Sequence, residues 1–166
     1  MKYYILILCF IPLCSIAQSD KSISDKNVPA VILNYIDTHY SSHRTVSYYI
    51  DSDDDTINYE ADFKCKNTYS LLFDSTGNLI ETEIQISFDQ TPDSVKSKIT
   101  NTLKTDFVKC RIVKTETVDH KGNLLYELLV RGKKGKEIVF YEYYFNRSGF
   151  FVKVEMINLK SIPSLF

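Results

Sequence analysis

The constraint that narrows this chain's fold most is a turn pattern that recurs with its flanking strands. Asp74-Ser75-Thr76-Gly77-Asn78-Leu79 and Asp119-His120-Lys121-Gly122-Asn123-Leu124 share the order D-x-x-G-N-L, and Asn146-Arg147-Ser148-Gly149-Phe150 is a third variant. Asp or Asn opens a type I turn, and glycine takes the left-handed position that closes a hairpin. The sequence before the turns repeats too. Tyr69-x-Leu71-x-Phe73-Asp74 aligns with Tyr141-x-Tyr143-x-Phe145-Asn146, and Tyr59-Glu60 with Tyr126-Glu127, at an offset of some 63 to 72 residues. A spacing of that size marks an internal repeat.

Each copy opens on a helix. Val28, Ile32, Tyr35, Ile36 and Tyr40 share one face after Pro29, and Val95, Ile99 and Leu103 share one after Pro92. Proline is pre-organised for the first helical position, and Thr91 suits an N-cap. Helices are expected near Pro29–Tyr40 and Pro92–Lys104. Strands are expected near Arg44–Ile50, Ile57–Lys64, Thr68–Phe73 and Leu79–Phe88, then Cys110–Val118, Leu124–Arg131, Glu137–Phe145 and Phe150–Asn158. The alternation Ile57, Tyr59, Ala61, Phe63 suits antiparallel strands with one covered face. The expected fold is therefore α+β: a tandem duplication of an α-β-β-β-β unit, with an antiparallel sheet of up to eight strands and helices on one face.

Val28-Pro29-Ala30-Val31 opening a helix, Tyr69-Ser70-Leu71-Leu72-Phe73-Asp74-x-x-Gly77-Asn78-Leu79-x-Glu81, and the repetition of that plan resemble the PepSY-like family of secreted bacterial envelope proteins. That family is similar in fold to the beta-lactamase inhibitor protein. The resemblance covers about Val28 to Ile157 and implies a tandem module whose sheet could grip another protein. It implies inhibition of no particular enzyme, because its motifs belong to turns and core. The second copy departs from the pattern: Leu103 matches Tyr40, and Thr91 replaces the valine before proline.

The N-terminus reads as an export signal. Lys2 is followed by an apolar run from Tyr3 to Cys14, and Ser15-Ile16-Ala17 supplies small residues at −3 and −1. The run is short for a bilayer span. The expected organisation is a signal peptide over 1–17, a first repeat over 18–89, and a second repeat with a C-terminal tail over 90–166. The location is periplasmic or secreted, with no stable membrane span after cleavage. Of four cysteines, Cys65 and Cys110 remain. The repeat sets them two strands apart, roughly 10–15 Å, which exceeds disulfide reach. Two separate, partly buried thiols are the expectation, with a Cys65–Cys110 bridge as the alternative.

With 20 basic and 21 acidic residues the net charge is −1, which excludes a strongly basic nucleic-acid binder. No G-x-S-x-G, H-E-x-x-H, C-x-x-C or phosphate-cradling glycine motif is present. Glu81 and Glu83 alternate on one strand and read as solvated charges. His39 and His43 are four apart, but Ser41-Ser42 ends the helix between them, and His39 suits the helix C-terminus. Asp51, Asp53 and Asp55 occupy positions 1, 3 and 5 of a calcium-loop spacing, with Asp62 at position 12. Thr56 stands where that loop needs glycine, so a solvated hairpin loop is the plainer expectation. Calcium at a weak surface site is the alternative; otherwise no cofactor is expected.

The informative feature is the second sheet face. If Tyr126, Leu128, Val130, Tyr141, Tyr143, Phe145, Val152, Val154 and Met156 point to the helix, the opposite parity carries Leu125, Leu129, Phe140, Tyr144, Phe151 and Ile157 among Glu127, Arg131, Glu142, Lys153 and Glu155. Aromatics among charges resemble interface composition. The expected function is an exported non-enzymatic binding module holding a protein or peptide partner, possible inhibition included, on Leu129, Phe140, Glu142, Tyr144, Phe151 and Lys153. Phe140, Tyr144 and Phe151 are then at least partly exposed. Two competing expectations are that the tail, Lys160 to Phe166, or a homodimer covers this face. The alternative function is a calcium-responsive periplasmic protein using the Asp51–Asp55 loop.

Overall fold

A computed structural model describes residues 21–53 and 56–157, the side chains of 51–53 excepted. The expected signal peptide and the tail from Lys160 lie outside the described residues. The fold is α+β. Two helices, α1 (Ala30–His39) and α2 (Asp93–Asp106), accompany nine strands: β1 (Lys21–Ile23), β2 (Val46–Asp53), β3 (Thr56–Lys64), β4 (Thr68–Phe73), β5 (Leu79–Gln85), β6 (Cys110–His120), β7 (Asn123–Lys134), β8 (Glu137–Asn146) and β9 (Phe151–Ile157). The strands form one antiparallel sheet in chain order. Among the described residues no helix is long and apolar enough to cross a membrane.

Each helix buries an aliphatic ridge against the strands that follow it. Ile32 and Ile36 of α1 pack with Ala61, Phe63, Leu71 and Phe73. Val95, Ile99 and Leu103 of α2 pack with Phe107, Leu128, Val130, Tyr143 and Phe145. The spacing of three or four residues places each ridge on one helix face. Tyr143 Oη donates to Asp106 Oδ2 at 2.8 Å, which ties the end of α2 to β8. Both prolines sit one position earlier than expected: Pro29 and Pro92 occupy the N-cap positions, without side-chain capping bonds. Thr91 ends the preceding 3₁₀ turn, buried, instead of capping α2.

The structure departs from the sequence reading at four further places. There are nine strands, not eight, because the three-residue β1 pairs with β2, Lys21 opposite Ile50. A piece that short has no alternation to read. β5 stops at Gln85, not Phe88. Ser87 opens a 3₁₀ turn over Phe88–Gln90, where Gln90 Oε1 accepts from the Ser87 N–H at 2.7 Å and Ser87 Oγ from the Asp89 N–H at 3.3 Å. The three similar turns are not one geometry. Asp74 Oδ1 accepts from the Thr76 and Asn78 N–H groups, each at 2.9 Å, and Asn146 Oδ1 accepts from those of Ser148 and Phe150, each at 3.0 Å. These are the expected turns, closed by Gly77 and Gly149 at positive φ. At Asp119 the hairpin instead has two central residues, Lys121 and Gly122, at φ 52° and 88°, as a type I′ turn requires. Finally, Cys65 and Cys110 are free; Cys65 is partly buried as expected, but Cys110 is exposed because it opens β6.

Gly132 marks a close approach inside β7. A Cβ there would stand 2.2 Å from Phe107 Cε1 and 2.3 Å from its Cδ1. Phe107 is itself buried in the second core. Gly132→Ala should therefore cost about 1–3 kcal/mol through overpacking, read as a lowered urea midpoint with unchanged slope. An unchanged midpoint would show that the ring has room to move.

Candidate functional site

The register decides which of the expected site residues meet. Leu129 stands opposite Glu142, Arg131 opposite Phe140, Glu127 opposite Tyr144, and Tyr144 opposite Lys153. Leu129, Phe140, Glu142, Tyr144 and Lys153 thus share the face away from the core of Leu128, Val130, Tyr143 and Phe145. Lys153 Nζ lies 4.2 Å from the Tyr144 ring centroid and 2.8 Å from Glu155 Oε1. Phe151 does not join them. A bulge between Tyr144 and Phe145 sets Phe151 opposite Phe145, and its ring packs 6.2 Å from Phe145 and 6.3 Å from Tyr143. The bulge inserts a residue and reverses the expected parity. Phe140 also differs from expectation. It is on the expected face but only 8% exposed, with Arg131 and Ile157 across from it on both neighbouring strands.

The centre of this face is a cluster of carboxylates on four strands. Glu116 of β6 stands directly opposite Glu127 of β7, and Glu142 of β8 opposite Glu155 of β9. Glu83 lies one strand further, across from Val118. Glu116 is 6% exposed, with Lys114 Nζ at 2.7 Å from its Oε2. Burial pushes Glu83 up to about 9, helped by the charges of Glu127, Glu116 and Glu81. Burial pushes Glu127 up to about 8, with Glu142 and Glu116 adding to it. Glu142 is raised by burial, although the Tyr144 hydroxyl, donating to its Oε2 at 3.4 Å, opposes this. Burial disfavours the Lys114 charge, but the Glu116 bond and the surrounding carboxylates raise its pKa above the usual lysine value. Glu83 is thus not the solvated strand charge that alternation alone suggests. Asp62, further along the same face, is also raised by burial, and its Oδ1 is buried without a hydrogen-bond partner.

A cavity of about 380 Å³ opens among these groups, lined by Glu81, Glu83, His120, Leu125, Glu127 and Tyr144 together with Val118, Asn123 and Lys153. His120 Nδ1 lies 3.1 Å from Glu81 Oε2. The lining can give and accept hydrogen bonds over an apolar floor. Sequence reasoning missed Glu83, Glu116 and Lys114 as members of this site. The available signal was glutamates recurring inside otherwise apolar strands.

The metal expectations fare differently. Asp51 and Asp53 fall in β2 with side chains outside the described residues, and Asp55 lies outside them altogether. The register separates Asp62 from that loop: Asp53 pairs with Thr56, whereas Asp62 pairs with Ser47, about 20 Å along the strand. His39 Nδ1 lies 2.9 Å from the Tyr35 carbonyl, while His43 Nε2 lies 3.0 Å from Asp37 Oδ1. Among the described residues no group of three His, Cys, Asp or Glu side chains could hold a metal ion.

The raised carboxylates make a signed prediction. In the folded chain Glu83 and Glu127 keep protons that unfolded glutamates, with pKa about 4.3, have lost. Their contribution to stability is therefore full below about pH 4.3 and is lost progressively as pH rises from there to about 8 and 9, where the folded groups ionise. The surrounding Glu81, Glu116, Lys114, Glu142 and Tyr144 bear on the same protons. Glu83→Gln with Glu127→Gln should gain at least about 1.4 kcal/mol at pH 8, the equivalent of one pKa unit, and much less at pH 5. Urea midpoints at the two pH values check this. Equal gains at both would show that the carboxylates are ionised in the folded state.

A family model described as "Putative beta-lactamase-inhibitor-like, PepSY-like" matches residues 15–81 and 58–144. Among solved structures, the chain is similar to a BLIP-like protein from Bacteroides fragilis, with 14% identity and a TM-score of 0.58 over 78% of this chain and 86% of that one. It is similar to a DUF2874 family protein from Bacteroides uniformis, with 15% identity and a TM-score of 0.63 over 78% and 89% of the two chains. A Bacteroides eggerthii protein described as "putative periplasmic" matches with 15% identity and a TM-score of 0.64, also over 78% and 89%. These likenesses show the fold. No curated protein sequence matches.

Proposed function

The chain belongs to the beta-lactamase-inhibitor-like, PepSY-like family, and from that membership and the character of its sheet we propose that it is an exported, non-enzymatic binding module working in the periplasm or beyond. Two tandem α-β-β-β-β units place both helices on one side of the sheet in this reading. The other side, on strands β5–β9, holds a protein or peptide partner. The observation that carries the proposal is the cavity of about 380 Å³ bounded by Glu83, Leu125, Glu127 and Tyr144. A face meant only for water would not collect half-buried carboxylates, a tyrosine and leucines. Leu129, Glu142, Tyr144 and Lys153 supply the contact; Phe140 shares their face but is buried, so it supplies little of it. Inhibition of an enzyme is one use of such a grip, and the BLIP-like fold supports it only as a use of the same surface.

Tyr144 and Phe145 are chain neighbours on opposite faces, so comparing them tests the proposal. Phe145, fully buried, should lose roughly 3–5 kcal/mol of stability on truncation to alanine. Tyr144→Ala should cost about 1 kcal/mol or less, yet weaken retention of an envelope partner on the immobilised protein by about thirtyfold or more, the roughly 2 kcal/mol of a contact hot spot. Chemical denaturation and quantified pull-down from the source cells' envelope give both readings. If Tyr144→Ala unfolds the protein as badly as Phe145→Ala, or leaves retention unchanged, this face is not the grip.

A further inference from the structure

At the far end of β6, β7 and β8, beyond the acidic centre, the same sheet face changes sign. A second cavity, of about 440 Å³, is lined by Lys109, Arg111, Arg131, Lys133 and Lys136, with Cys110, Gly132 and Ile138 completing it. Among the described residues no carboxylate lines it. Its volume lies within the range of small-ligand sites, roughly 300–1,000 Å³.

Strand register builds this cavity. Arg111 stands directly opposite Arg131, and Cys110 opposite Gly132. The Lys133 N–H donates to the Lys109 carbonyl at 3.2 Å, which holds the chain before β6 against the end of β7. Among the described residues none of the five cations makes an ion pair. Lys134, whose side chain alternates to the other face, is satisfied differently: it lies 4.7 Å from the Tyr141 ring centroid and donates to the Tyr141 hydroxyl at 3.2 Å. Like charges directly opposite on neighbouring strands destabilise a sheet. The chain as a whole carries a net charge of −1, so general basicity does not account for five cations in one place. Two guanidinium forks side by side match the oxygens of a tetrahedral oxyanion, and the lysines add point charges around it.

We propose that this cavity binds a multiply charged oxyanion, a phosphate or phosphoester group, at a site separate from the acidic centre of the same face. The arginine pair is the primary ligand, and Lys109 and Lys136 neutralise the outer charge.

The test uses inorganic pyrophosphate as a soluble probe and vesicles as a membrane probe. Titration calorimetry at low ionic strength should show pyrophosphate binding that weakens with added sodium chloride. Arg111→Gln with Arg131→Gln should weaken it at least tenfold. Because that variant alters two strands at once, Lys109→Gln with Lys136→Gln, both outside the strands, is measured beside it and should weaken binding as well. Lys98→Gln should leave binding within twofold, since Lys98 sits 3.8 Å over the Phe150 ring at another place on the surface. In a second arm, vesicles of phosphatidylglycerol and phosphatidylcholine are compared with phosphatidylcholine alone by sedimentation. Variant-sensitive binding in either arm supports the site: pyrophosphate alone assigns a soluble phosphoester, vesicles alone a lipid headgroup. The probe that binds should slow iodoacetamide alkylation of Cys110 severalfold while leaving Cys65 unchanged. Binding insensitive to both cation variants, equal protection of the two cysteines, or no binding in either arm overturns the proposal.

Discussion

Everything else in this protein hangs on two aliphatic ridges pressed onto strands of large side chains. Ile32 and Ile36 meet Leu71 and Phe73, and Ile99 and Leu103 meet Leu128 and Phe145; seven of these eight are wholly buried or within one per cent of it, and Leu103 is nearly so. Each such side chain contributes roughly 1.5–3 kcal/mol. The turns lock the ridges in place. Gly77 lies so close to Val31 that a Cβ would stand 2.2 Å from its Cγ1, and a Cβ on Gly149 would stand 3.0 Å from the Val95 Cα. Glycine is thus required twice over at these turns, for its positive φ and for the helix above it. Because the ridges consume one parity of β3, β4, β7 and β8, the other parity of these strands is left for recognition.

What that other parity carries is not what stability would choose. Glu116 facing Glu127 and Glu142 facing Glu155 are like charges in direct cross-strand register, and Arg111 facing Arg131 repeats the fault with the opposite sign. Burial, which raises Glu127, favours the protonated form that relieves the Glu116–Glu127 pair. A sheet that tolerates such pairs on the face away from its two cores fits surface kept for recognition, where electrostatic complementarity supplies specificity.

How much of this was legible follows from which rule each element obeys. Helices, eight of the strands and the Asp74 and Asn146 turns were readable because local periodicity and turn chemistry decide them. β1 was not, since three residues carry no period. The Asp119 hairpin was misread because D-x-x-G-N also fits a type I′ turn when Lys121 accepts positive φ. For the site, alternation placed Leu129, Glu142, Tyr144 and Lys153 on one face correctly. It failed at Phe151, where one bulged residue shifts the parity. Glu83 was read as solvated because alternation says which way a side chain points but not what lies across the next strand. The β5–β6 join, which sets Glu83 near Glu116 and Glu127, is a long-range fact.

The strand order has its own consequence. Each strand in this sheet is bonded to the strand before it in the chain, from β1 to β9, with no crossover. Nothing made early has to wait for a partner made late. A chain that emerges N-terminus first can add one hairpin at a time to a growing edge, and each helix arrives just before the strands it covers. Such local wiring keeps the cost of loop closure low and limits the time that unpaired strand edges stay open to aggregation. Vectorial assembly of this kind suits a polypeptide that must acquire its shape as it is threaded out of a narrow channel.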